Sequence, residues 1–196
     1  TSALGRAFVR RAIEEAATVF FTYQSNSEEA GKLIKLGAKG FRTDLSKRSE
    51  IDQLKKNVQS NTRQLDAIVH NAAIVKDHVL ANLTEAEWDE VIAVNLNSVY
   101  YLTKKFLSFL FKTPGSKIIN VISRVGLRGG FGQANYAAAK GGLIALTKSL
   151  AKELGKKQIL VNALNPGFMK SKMTEVIPED VFNQNREESP LGAISD

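Results

Sequence analysis

The segment Tyr136-Ala-Ala-Ala-Lys140 sets a phenol and an ammonium four positions apart. On a helix that spacing puts both side chains on one face, a turn apart. A phenol with the usual pKa of about 10 exchanges protons poorly at neutral pH. A cation roughly 5 Å away, at an effective dielectric of about 20, favours the phenolate by about 3 kcal/mol, or about 2 pKa units. Such a pair can exchange a proton with an oxygen on a reacting carbon. Taken alone, Tyr-x-x-x-Lys reads first as an exposed helix pair, and its setting reverses that reading. Upstream, Ser123 ends the apolar strand Ile118 to Ile122, and the loop Gly126-Leu-Arg-Gly-Gly-Phe-Gly-Gln133 leads back to the tyrosine. A hydroxyl at the carboxyl end of a strand can donate to a carbonyl oxygen and stabilise the charge that develops there. The other reading of Ser123 is a strand-end turn serine.

The elements that must carry these groups alternate along the chain. Strands are expected over Thr18–Thr22, Ala38–Thr43, Leu65–Val69, Lys117–Ile122 and Gln158–Leu164, from short β-branched or apolar runs. Helices are expected from Ala3 to about Glu15, Ser27 to Leu36, Lys47 to Asn61, Thr84 to about Phe111 and Asn135 to Gly155. Thr84-Glu-Ala-Glu87 has the form of a capping box. A short helix is expected near Glu179 to Asn185. Alternation of this kind implies right-handed parallel βαβ units, a doubly wound parallel sheet of the Rossmann-like α/β class, and one domain over residues 1–196. Strands without polar alternation should be covered on both faces. The first recognisable element is a helix, so the sheet is expected to lack its first strand in this sequence, and its last.

The chain resembles the short-chain dehydrogenase/reductase family over nearly its whole length, and within it the 3-oxoacyl-acyl-carrier-protein reductases most closely. The resemblance is carried by Leu65-Asp-Ala-Ile-Val-His-Asn-Ala-Ala73, Val94-Asn-Leu-Asn-Ser-Val99, Val121-Ile-Ser-Arg-Val-Gly126, Gly132-Gln-Ala-Asn-Tyr-Ala-Ala-Ala-Lys140 and Val161-Asn-Ala-Leu-Asn-Pro-Gly167. It implies Tyr136 as proton donor in the reductive direction and Ser123 as the group that polarises the carbonyl. Lys140 would hold the nicotinamide ribose and lower the tyrosine pKa, and Asn95 would fix a relay water. The other reading of Asn95 is a satisfied polar residue inside a long helix.

The resemblance also implies a cofactor cleft. Thr1-Ser-Ala-Leu-Gly-Arg6 stands where the glycine-rich turn ends, with Gly5 as the final glycine and Ala3 in place of the middle one. A helix N-terminus there supplies N–H groups for a phosphate. Asp44 would contact the adenine amine, with Leu45 beside the ring, and Asn71 would lie near the adenosine ribose. Pro166 and Gly167 would turn the chain toward the nicotinamide, Phe168 and Met169 would touch it, and Ser171 stands where the family often has Thr. His70 and Ala73 replace the usual Asn and Gly, and neither His70 nor His78 is assigned a catalytic role. After the first visible strand, Tyr23-Gln-Ser-Asn26 carries no carboxylate, whereas an NAD site commonly has one to hold the ribose 2′-hydroxyl. NADP is therefore favoured over NAD, with Ser2, Arg6, Gln24 and Ser25 available to a 2′-phosphate.

Composition bounds the rest. The 196 residues include no cysteine, which removes disulfides and thiolate metal sites, and two separated histidines make no metal site. No apolar run is long enough to span a bilayer and no leader is visible, so a cytoplasmic location is expected. The net charge of +7 is spread along the chain and not interleaved with aromatics, which argues against nucleic acid. Lys156–Lys157 is the basic pair available to an acidic acyl-carrier protein. The expected activity is NADPH-dependent reduction of a 3-oxoacyl thioester by a homotetramer or homodimer. The alternatives are a relative acting on a polyketide, sugar, steroid or secondary alcohol, and a cofactor-binding sensor without turnover.

Overall fold

The computed structural model describes residues 2–167, 169 and 179–187. Along them run α1 (Ala3–Glu14), β1 (Phe20–Tyr23), α2 (Ser27–Lys35), β2 (Lys39–Arg42), α3 (Arg48–Gln59), β3 (Ala67–His70) and α4 (Glu85–Ile92). There follow a π turn (Ala93–Asn97), α5 (Ser98–Leu110), β4 (Lys117–Val121), α6 (Val125–Arg128), α7 (Ala134–Leu154), β5 (Leu160–Leu164) and α8 (Glu179–Glu187). The expected helices and strands are all present, with ends shifted by a few residues. Their starts follow from side chains that satisfy free backbone N–H groups. Ser2 accepts from Gly5 N, Asn26 from Glu29 N, and Thr84 and Glu87 close the expected capping box.

All strand pairs are parallel, in two groups: β1–β2, and β3–β4–β5 in that order. Among the described residues no ladder joins β1 to β3. Both strands line a single cleft of about 2520 Å³, larger than the roughly 300–1,000 Å³ of ordinary small-molecule pockets. The expectation that every strand is covered on both faces fails at the margins. Val69 in β3 and Leu160 and Leu164 in β5 are exposed, because β3 faces the cleft and β5 has no further strand beside it among the described residues.

Three apolar clusters hold the layers together. Val9, Phe21, Leu33 and Ala38 join α1 and α2 to β1. Leu54, Val58, Phe106 and Phe109 join α3 to α5. Leu110, Ile118, Leu154, Ile159 and Val161 lock α5, β4 and the end of α7 together. The last cluster fixes the strand that ends at Ser123 against the helix that carries Tyr136 and Lys140.

Candidate active site

β4 ends at Val121 and delivers Ser123 to the mouth of the cleft. The chain expected to be a loop after it instead forms α6, which Gly129 ends in a left-handed conformation (φ 77°). α6 presses on α7 at Gly126, where a Cβ would stand 2.6 Å from the Lys140 carbonyl carbon. Only glycine lets the two backbones approach so closely.

That approach brings the three expected groups together. Ser123 and Tyr136 line the same cleft, and the Ser123 hydroxyl is near enough to bear on the phenol. The Lys140 ammonium lies 5.7 Å from the Tyr136 ring centroid and donates to the Val121 carbonyl at 2.7 Å. Lys140 is 2% exposed, and this burial pushes its ammonium down to about 8. Burial also raises the Tyr136 phenol above its ordinary value; the Ser123 hydrogen bond lowers it and the Asp77 charge raises it. The expected lowering of the phenol by Lys140 is thus not the resultant here. Burial weighs against the charged form of both groups, and the ammonium is turned to a backbone oxygen.

Asn95 lies in the π turn, a wide helical turn that recurs at functional sites. It is 1% exposed, and both halves of its amide are taken by one residue: Oδ1 accepts from Ile74 N and Nδ2 donates to Ile74 O, each at 2.8 Å. The Asn95 side chain staples the segment after β3. Gly142 admits Leu96 of the same turn against α7, so the staple and the tyrosine helix share one packing surface.

The remaining expected residues meet along the same cleft. Ser2, Gly5 and Asn71 line it where α1 begins. Ser2 Oγ accepts from both Gly5 N (3.1 Å) and Asn71 Nδ2 (2.9 Å), and a Cβ on Gly5 would stand 2.8 Å from that Asn71 nitrogen. Gln24 and Ser25 line it beyond β1, and Asp44 and Leu45 beyond β2. Hydrogen bonds from Ser46 and the charge of Lys47 hold Asp44 below the usual carboxylate range. Pro166, Gly167 and Met169 line the same cleft as Tyr136 and Lys140. Asn95 is the one described catalytic candidate that does not line it. Phe168 and Ser171 lie outside the described residues.

The family model described as short chain dehydrogenase matches residues 1–181. The chain belongs to the short-chain dehydrogenase/reductase family. It is therefore an NAD(P)-dependent oxidoreductase. Its relatives include the 3-oxoacyl-acyl-carrier-protein reductase FabG of Staphylococcus epidermidis, 36% identical over 194 residues, covering 96% of this chain and 80% of the relative. The protein of the same name from Aquifex aeolicus is 33% identical and covers 98% and 80%. That of Chlamydia trachomatis is 37% identical and covers 87% and 67%.

The cleft of this short-chain dehydrogenase/reductase fits a nicotinamide dinucleotide. Gly5 leaves the space a Cβ would fill at the start of α1, and polar groups stand at intervals from there to Lys140. Arg6 departs from expectation: it does not line the cleft and pairs with Glu29 of α2 at 3.4 Å. Arg42, at the end of β2, was not foreseen. Its Nε donates to Gln24 O at 3.2 Å, which sets a cation beside Gln24 and Ser25. No spacing rule signals it, because its neighbour belongs to a different strand end. His70 is a core residue, bonded to Thr103 Oγ1 at 3.0 Å and pushed down to about 4 by burial.

Proposed function

We propose that this protein reduces the 3-oxo group of an acyl thioester, presented on an acidic acyl-carrier protein, to the 3-hydroxyacyl form with NADPH. One observation carries the reading: Ser123, Tyr136 and the buried Lys140 line one cleft, with the Lys140 ammonium 5.7 Å from the Tyr136 ring centroid. The thioester is supported by relatives named for that activity at 33–37% identity.

Bound NADPH supplies a hydride to the carbonyl carbon. Tyr136 gives its phenolic proton to the carbonyl oxygen, so a C–H and an O–H bond form as the carbonyl π bond is lost. Ser123 donates to the same oxygen and stabilises its charge. Lys140 would hold the nicotinamide ribose of a bound cofactor, and its proton would be the source from which the phenolate is restored. A relay water on Asn95 would rest on its main-chain oxygen, since Ile74 takes both groups of the amide.

The preference for NADPH rests on the absence of a carboxylate in Tyr23–Asn26 and on Arg42, which with Gln24 and Ser25 would meet the 2′-phosphate. Ser2 serves the α1 cap instead. Lys156 and Lys157, exposed after α7, would meet the acidic carrier. Trp88 and Tyr100, exposed on α4 and α5, are suited to contacts in a homodimer or homotetramer. Among the described residues no helix is long and apolar enough to cross a membrane, and a single cytoplasmic domain is our reading of the chain.

The test is consumption of NADPH and of NADH with an acetoacetyl thioester, free and carrier-bound. We expect faster NADPH oxidation, and a KM for the carrier-bound form that rises when Lys156 and Lys157 become Glu. No oxidation with any of a panel of carbonyls would favour a cofactor-binding sensor instead.

A further inference from the structure

The helix that carries the phenol is capped from outside itself. The first four N–H groups of a helix have no partner within it, and a side chain at the N-cap ordinarily serves one of them. Gln133 holds the N-cap position of α7 and makes no such bond. Its Nε2 donates instead to Asp77 Oδ2 at 2.7 Å. The N–H at the third position of the helix belongs to Tyr136, and Asn135 Oδ1 accepts from it at 2.7 Å. Asn135 Nδ2 donates to the Lys76 carbonyl, 59 positions away in sequence, at 3.0 Å. One side chain thus ties the backbone of the tyrosine to the segment after β3. Asn95 fixes the other end of that segment at Ile74.

Asn135 is fully buried yet does not line the cleft, so it meets neither substrate nor cofactor there. Burying an amide costs free energy unless it is bonded, and Asn is a poor helix former. An apolar residue would fill the space at lower cost if packing were all that the position required. We propose that Asn135 is a positioning residue: by joining the Tyr136 N–H to the Lys76 carbonyl it sets where the first turn of α7, and with it the Tyr136 phenol, stands in the cleft. The inference rests on the reading of Tyr136 as the proton donor. One turn further along α7, Lys140 is held by its bond to the Val121 carbonyl at 2.7 Å. The tyrosine therefore lies between two anchors, one on the segment after β3 and one on β4. Bonded polar groups in a dry interior hold one geometry, and a misplacement of about 1 Å can cost about 10²-fold in rate.

The test is Asn135→Ala, made in the parent and in the Tyr136→Phe variant, with NADPH and an acetoacetyl thioester. In the parent background we expect kcat to fall by at least about tenfold while the Kd for NADPH stays within about threefold. In the Tyr136→Phe background the same substitution should change the residual rate by less than about twofold, because residues that act as a unit are not additive. An equal fall in both backgrounds, or no fall in the parent, would overturn the proposal. The ring can also be followed without turnover. The chain has four tyrosines, and the ring-carbon NMR signal lost in Tyr136→Phe is that of Tyr136. That signal should move in Asn135→Ala; a signal that stays in place would overturn the proposal as well. If Asn135→Ala does not fold, Asn135→Asp makes the same comparison, since it keeps the acceptor for the Tyr136 N–H and loses the donor to Lys76. A parent that reduces no carbonyl would sink the reductase reading, and the NMR signal would then decide the role of Asn135 by itself.

Discussion

Replacing Lys140 with Met should make this protein more stable at neutral pH while abolishing its chemistry. The fold pushes the Lys140 ammonium from its ordinary 10.5 to about 8 by burial. At 1.36 kcal/mol per unit, the shift amounts to about 3 kcal/mol of destabilisation whenever the group is charged in both states. Met fills the same space without charge but loses the bond to the Val121 carbonyl, worth about 1–2 kcal/mol. The net gain for Lys140→Met is then about 1–2 kcal/mol at pH 7, or roughly 2–8 °C in Tm for a chain of this size. The sign follows from proton counting. Between pH 8 and 10.5 the unfolded parent binds a proton that the folded parent does not, so the parent gains stability as pH rises through that window. The advantage of the variant is therefore full below pH 8 and shrinks above it. It reverses near 10.5, where only the lost hydrogen bond remains. Urea unfolding of both proteins at intervals from pH 6 to 10.5 reads the difference directly. A variant that is less stable at pH 7, or a difference independent of pH, would refute the reasoning.

Two further substitutions probe the supports of the site. Gly126→Ala drives a methyl into the Lys140 backbone; we expect a loss of about 1–3 kcal/mol in unfolding free energy and a fall in kcat, with unchanged stability counting against the close α6–α7 contact. Asn95→Ala cuts both bonds to Ile74 and leaves its part-buried backbone groups without that partner; it should cost about 1–3 kcal/mol by denaturant unfolding and lower kcat more than it raises the KM for NADPH. A loss of turnover with native stability would instead favour a purely catalytic role for Asn95.

Much of this arrangement was legible before any coordinates. The Tyr136–Lys140 spacing implies a shared helix face, and the apolar run before Ser123 implies a strand end pointing at it. α7 and β4 supply both. What escaped the sequence is what depends on packing between distant segments. α6 reads as loop because its Gly126 has poor helix propensity, and only the backbone of α7 above it explains the glycine. Asn95 was seen as special, yet its partner is a backbone group 21 positions away, which no spacing discloses. The Lys140 cation was expected to dominate the phenol, but composition does not report burial, and burial lifts Tyr136 and depresses Lys140. Arg42 and Asp77 reach their places through neighbouring strand ends and loops, where side-chain direction decides the outcome.

The central claim is that Tyr136 gives the proton. Tyr136→Phe keeps the ring and removes only the hydroxyl. With NADPH and an acetoacetyl thioester, kcat should fall by about 10²–10⁴-fold, the range of a positioned acid, while the Kd for NADPH stays within about threefold of the parent. Turnover retained within about tenfold in the Phe variant would contradict it.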